Sequence, residues 1–127
     1  MSRGIFSRRD HGAALVEFAI LLPILVLLIM GMVEFGRGYN AQITLTQASR
    51  EGVRILAITK DASQAVTATE NVAATSLDIT QLTVTTTACN SGDPTSLTAS
   101  YPFTYDIPLW ETATITLSAT GVMRCGG

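Results

Sequence analysis

Apolar residues are arranged in three successive regimes. From Ala13 to Val33 they are nearly continuous, and Glu17 is the only charge. From residue 39 to 58 they recur near helical spacing, at Ile43, Leu45, Ala48, Val53, Leu56 and Ala57. Gln42, Gln47, Arg50, Glu51 and Arg54 fill much of the space between. Beyond Leu77 the period falls to two. The first run, as a helix rising 1.5 Å per residue, spans roughly 31 Å, the hydrocarbon thickness of a bilayer. A helix also satisfies its own backbone groups in lipid. The first two regimes therefore predict one helix from near Ala13 to near Thr59, its first half in a membrane and its second half amphipathic. Pro23 removes a backbone donor and crowds the carbonyl of Ala19, so a bend is expected there, either an ordinary kink or a soft point that lets the helix repack. Gly31, Gly36, Gly38 and Gly52 each cost about 1 kcal/mol against Ala in a helix, and they let neighbouring backbones approach closely.

Asp61 is a fitting N-cap for a second helix from Ala62 to about Ser76. Ile79 to Cys89 is threonine-rich and strand-like. Asn90 to Thr95 has the composition of a loop. Leu97, Ala99, Tyr101, Phe103, Tyr105 and Ile107 alternate with polar residues or proline, which predicts a strand, and Pro102 confines it to an edge or a bulge. Pro108 to Glu111 reads as a turn. Ala113, Ile115, Leu117, Ala119, Gly121 and Met123 alternate with smaller or polar residues as a third strand. Tyr101, Phe103, Tyr105 and Trp110 read as core and turn packing rather than a ligand site. The expected fold is α+β: a long helix whose upper half covers an antiparallel three-stranded meander with one further helix. The expected divisions are a leader at 1–12, a membrane half at 13–33, an amphipathic half at 34–60 and a small αβββ head at 61–127.

Charge sets the expected topology. Arg3, Arg8 and Arg9 precede the apolar run, while Glu34 and a single Arg37 follow it. The excess of positive charge places the N-terminus in the cytoplasm and the head outside. Outside is oxidising, so Cys89 and Cys125 are expected to pair, closing a loop worth about 4 kcal/mol; the alternative is two separate thiols. Cys89 is out of phase with Leu82 and Val84, which requires a bulge or a position past the strand. Glu34 and Arg37, three apart, form an interfacial ion pair worth under about 1 kcal/mol or a contact between subunits.

The net charge of −2 and the scarcity of cations after residue 55, where only Lys60 and Arg124 remain, argue against nucleic-acid binding. Two cysteines and one histidine, His11, do not make a zinc site. There is no Gly-x-Ser-x-Gly, no phosphate loop and no histidine outside the leader, so neither an enzyme nor a small-molecule substrate nor a cofactor is expected. A secretory signal would be cut after its apolar region, but Glu34-Phe-Gly-Arg-Gly-Tyr39 offers no small-residue site. The small-residue junction lies before the run, at Gly12-Ala13.

Basic residues, Gly12, the small residues Ala13 and Ala14, then Glu17 inside an apolar helix resemble a class III signal of type IV pilins and pseudopilins. Over residues 8–57 the chain resembles the TadE family of minor, pseudopilin-like components of Tad (Flp, tight-adherence) pili. The residues that carry this are Arg8-Arg9, Gly12 to Phe18, Leu22-Pro23, Glu34-Phe-Gly-Arg37 and Ala48-Ser-Arg-Glu-Gly-Val-Arg54. His11 stands between the basic residues and Gly12, where such leaders often run Arg-Gly directly. The resemblance implies cleavage between Gly12 and Ala13 by a prepilin peptidase and pairing of Glu17 with the new amine of a neighbouring subunit. It gives the Glu34–Arg37 pair a role between subunits. It also implies the bacterial inner membrane as location, or a pilus built from it. The implied partners are membrane lipid, a companion pseudopilin, the major pilin and an inner-membrane platform with its ATPase. From the residues alone, Glu17 equally fits a carboxylate held within its own chain, and the whole fits a membrane-anchored binding module left uncut at Gly12.

Overall fold

A computed structural model describes residues 10–106 and 111–126. The elements are α1 (Asp10–Thr59), α2 (Ala62–Ala73), β1 (Thr83–Thr86), β2 (Pro94–Tyr105) and β3 (Ala113–Arg124), with a single 3-10 turn at Ile79–Gln81. The strands form one antiparallel sheet in the order β1-β2-β3. The fold is α+β, with the upper half of α1 laid along the sheet. The turn expected at Pro108–Glu111, with Ile107 and Trp110, falls largely outside the described residues, as does most of the leader.

The core lies where α1, α2 and the sheet meet. Gly38, Ala41, Thr44, Leu45, Ala48, Ser49, Gly52, Val53, Leu56 and Ala57 form the buried stripe of α1. Their spacing of three and four residues is that of one helix face. Ile43 was expected on this stripe but is 40% exposed. It stands two residues from both Ala41 and Leu45, about 200° around the helix from each, so it faces away from the head. Leu45, Leu56 and Leu97 are fully buried, each worth about 1.5–3 kcal/mol.

Close backbone approach sets the geometry of this core. A Cβ on Gly52 would overlap Thr69 Oγ1 and come within 2.7 Å of Leu97 Cδ1. One on Gly121 would lie 2.6 Å from the carbonyl oxygen of Ser49. Leu97 meets α1 at Gly52, and Phe103 and Tyr105 meet it at Gly38. Fourteen helical residues cover about 21 Å and the six strand residues from Leu97 to Phe103 about 20 Å, so β2 runs down α1 and β3 runs back up it.

Local chemistry explains the departures from expectation. Strand β1 is much shorter than Ile79–Cys89, because Asp78 accepts hydrogen bonds from Thr80 N (3.0 Å) and Thr80 Oγ1 (2.7 Å). These bonds close the 3-10 turn and take its amides out of the sheet. Cys89 accordingly lies past the strand. The second helix ends at Ala73 rather than near Ser76, in a run of turns. Strand β2 begins at Pro94, two residues after Gly92, whose φ of 87° suits a residue without Cβ. Pro102 belongs to the middle strand, yet β1 reaches only as far as Ser100. Past that point β2 has β3 alone as a neighbour, so the absent proline amide falls on a locally free edge.

Candidate functional site

Among the described residues, none in the lower half of α1, from Gly12 to Val33, is buried. Side chains along this half are exposed almost without exception. Its most apolar window has a mean hydropathy of 2.8, long and apolar enough to cross a membrane. Glu17 lies on this half, one turn above Ala13 and about 6 Å along the axis. It is exposed, and among the described residues no ion pair involves it. Pro23 is inside the helix, which continues through it. Gly12 and Ala13 are themselves helical, because α1 starts at Asp10 rather than near Ala13.

The exit from this half is more elaborate than a surface ion pair. Arg37 Nη1 donates to Glu34 Oε1 at 2.6 Å. The Glu34 side chain is only 13% exposed, against 56% for Arg37. Glu34 Oε2 is buried and has no hydrogen-bond partner among the described residues. The Arg37 guanidinium also stands 5.6 Å from the centre of the Phe103 ring, a cation–π distance. Phe103 packs edge-on against Tyr105, and the Tyr105 hydroxyl sits where a side chain on Gly38 would be. Arg37 is thus fixed from its own helix and from the sheet. Along the sequence Phe103 and Tyr105 are marked only as packing residues, by their same-face alternation on one strand; their register against α1 is not written there.

The other predicted pair also meets. Cys89 and Cys125, 36 residues apart, form a disulfide with Cα atoms 5.6 Å apart. Cys89 packs against Val53, Leu56, Ala65 and Leu97. The bridged segment is tied further to α1, since Gly126 N donates to the Ala57 carbonyl at 2.9 Å. Asp61 caps α2 through Ser63 N at 2.8 Å and Ser63 Oγ at 2.7 Å. Those hydrogen bonds, with others from Gln64, hold its carboxyl below the ordinary value of 3.8. Thr80 does the same for Asp78. Among the described residues, Gly12, Ala13, Glu17 and Pro23 are brought to no other element; they share one exposed helix.

A family model described as TadE-like protein matches residues 12–54. The matched residues all lie within α1. The TadE-like match opens on Gly12, closes on Arg54 and contains Glu17, Pro23, Glu34 and Arg37. It stops short of α2, the sheet and both cysteines. No curated protein and no solved structure matches the chain. The TadE-like family consists of membrane- and pilus-associated structural proteins rather than enzymes.

Proposed function

We propose that this chain is a pseudopilin or minor pilin that takes part in building a Tad-type pilus. The observation that carries the proposal is the TadE-like match itself, which falls on the long helix from Gly12 onward and takes in Glu17. In this reading the N-terminus is cytoplasmic and the head is outside. A prepilin peptidase cuts between Gly12 and Ala13. A protease takes its substrate extended, whereas α1 already includes both residues. The first turn must therefore unwind, and Gly12 lowers that cost by about 1 kcal/mol relative to Ala. Cutting exposes an amine on Ala13, at the positive end of the helix.

Glu17 is then a carboxylate in the first turns of α1. It gains roughly 0.3–1 kcal/mol from the helix dipole. Against this stands the cost of an acidic side chain in hydrocarbon, about 3 kcal/mol at a helix centre and less near the interface. A neighbouring subunit's amine would offset that cost and set the register between chains. The partners follow from the same reading: the major pilin, a companion pseudopilin and an inner-membrane platform driven by an ATPase.

The test is the intact mass and N-terminal sequence of the protein purified from its native membrane. A start at Ala13 supports the proposal, and so does a Glu17→Ala chain that is still cut but no longer joins the assembly. Retention of residues 1–12 in cells with active peptidase overturns it, leaving an uncut, membrane-anchored binding module.

A further inference from the structure

Five of the chain's eight aromatic residues gather around α1 at one level, just above the apolar run. On the side away from the head, Phe35 and Tyr39 stack with ring centroids 6.4 Å apart and planes within 10°. They are 72% and 62% exposed, with nothing among the described residues covering them. On the head side, Phe103 and Tyr105 meet α1 at Gly38. Tyr101 joins Phe103, Arg37 and Asn40 around a small cavity of about 160 Å³.

The height of this collar can be read along the helix axis. Gly38 is five residues beyond Val33, about 7.5 Å. A bilayer of 40–45 Å with a 30 Å hydrocarbon core leaves about 5–7 Å of headgroup layer on each side. Phe35 and Arg37, about 3 and 6 Å beyond Val33, fall within that layer; Gly38, where the Phe103–Tyr105 end of the sheet meets α1, lies at its top, and Tyr39, about 9 Å beyond Val33, stands just above it. Aromatic rings are the side chains that settle at this boundary, apolar on the face and polar at the tip. A guanidinium at the same depth faces lipid phosphates.

We infer that the collar of Phe35, Tyr39, Phe103 and Tyr105, with Arg37, seats the head on the phospholipid headgroup layer. The lipid surface is the occupant because the exposed rings continue a helix that is itself lipid-facing, without a break. The outer membrane boundary of this protein then lies near Tyr39 rather than at Val33, and the head is held at the surface instead of hanging free on its helix. The inference rests on the membrane-spanning part of the proposed function.

The full chain is reconstituted in vesicles of phosphatidylethanolamine and phosphatidylglycerol. Trp110, its single tryptophan, is replaced by Phe. One tryptophan is then introduced by Leu25→Trp, Phe35→Trp, Tyr39→Trp or Ile58→Trp. Lipids brominated near the headgroup or near the chain terminus report depth by quenching. The expected result is deep quenching of L25W, loss of F35W and Y39W emission to the shallow bromolipid with a blue shift, and neither effect for I58W. F35W and Y39W emission like that of I58W overturns the inference while leaving the membrane span intact. Blue-shifted but unquenched emission also overturns it, because protein then covers the rings. An unquenched L25W overturns the membrane span and the collar together. A photoreactive benzoylphenylalanine at position 35 or 39, with Trp110 kept, gives an independent readout: crosslinks to phospholipid support the seat, and crosslinks to protein alone overturn it.

Discussion

Residues 12–33 and 38–57 belong to one unbroken helix, and both are rich in apolar side chains, but they use them in opposite ways. The lower half carries large aliphatics on every side, and nearly all of them stay exposed. The upper half buries a single stripe, and that stripe is built largely from Gly, Ala, Ser and Thr. In the proposed membrane setting lipid wets any apolar surface, so the lower half needs bulk and no shape. A folded head must interdigitate, so the upper half needs small residues where α2 and the sheet come close. Hydrophobicity is thus a solvent specification below Val33 and a packing specification above Gly38.

The sharpest way to press on this contrast is to cut the tie that the upper half shares with the sheet. Replacing Cys89 and Cys125 with Ser opens a loop of 36 residues. By chain entropy this removes about 4 kcal/mol from the head, read as a lower denaturation midpoint for the full chain in micelles. The apolar lower half is expected to keep its helical circular dichroism.

Next in size is a matched pair on the two halves. Leu56 is fully buried, so Leu56→Ala should cost about 3 kcal/mol of head stability. Leu28 is exposed in the lower half, and Leu28→Ala should leave the head's midpoint unchanged. Equal effects from the two would break the distinction.

Gly52→Ala comes third. Its new methyl group must displace Thr69 Oγ1 and Leu97 Cδ1, an overpacking cost of about 2 kcal/mol, although alanine is the better helix former. Gly31→Ala is the control, since nothing lies near its Cβ position, and it should be neutral or stabilising. A stabilised Gly52→Ala would show that the upper stripe is looser than the structure has it.

The smallest effect concerns pH and touches only the head. Asp61 and Asp78 are held below 3.8 by hydrogen bonds that require the ionised form. A depressed carboxylate contributes stability above its unfolded value and loses it as pH falls through the folded one. Acid below about pH 4 should therefore loosen the start of α2 before the apolar half of α1 responds, with Asp61→Ala removing part of that dependence. Hydrogen exchange at Ser63 and Gln64 checks it.

The boundary between the halves is where the proposed function and the collar meet. Glu34 is nearly buried with one oxygen unsatisfied, and Arg37 is held by both helix and sheet. An isolated surface pair three residues apart is worth under about 1 kcal/mol. This pair also meets the sheet, through the Arg37 guanidinium over the Phe103 ring, and it lies within the TadE-like match.

Much of this was legible along the chain, because it depends on local order. The continuous run of Ala13–Val33 specifies a membrane-length helix whatever follows it. The stop at Thr59, the cap at Asp61 and the alternation through Phe103 and Leu117 are likewise written within a few residues of where they act. The candidate residues Gly12, Glu17 and Pro23 could be named from their order alone, and the TadE-like match lies on the same stretch. Tertiary structure decided what depends on residues far apart. It turned Ile43 outward and chose Ala41 instead, spent the amides near Asp78 on a turn rather than a strand, and gave Pro102 a place in a middle strand by ending β1 early. It also put Arg37 over Phe103, 66 positions away by their numbers, and brought Cys125 back to Cys89. Periodicity fixes which way a side chain points on its own element. Which element it meets depends on where the backbones can approach, and here that is set by Gly52 against Thr69 and by Gly121 against Ser49.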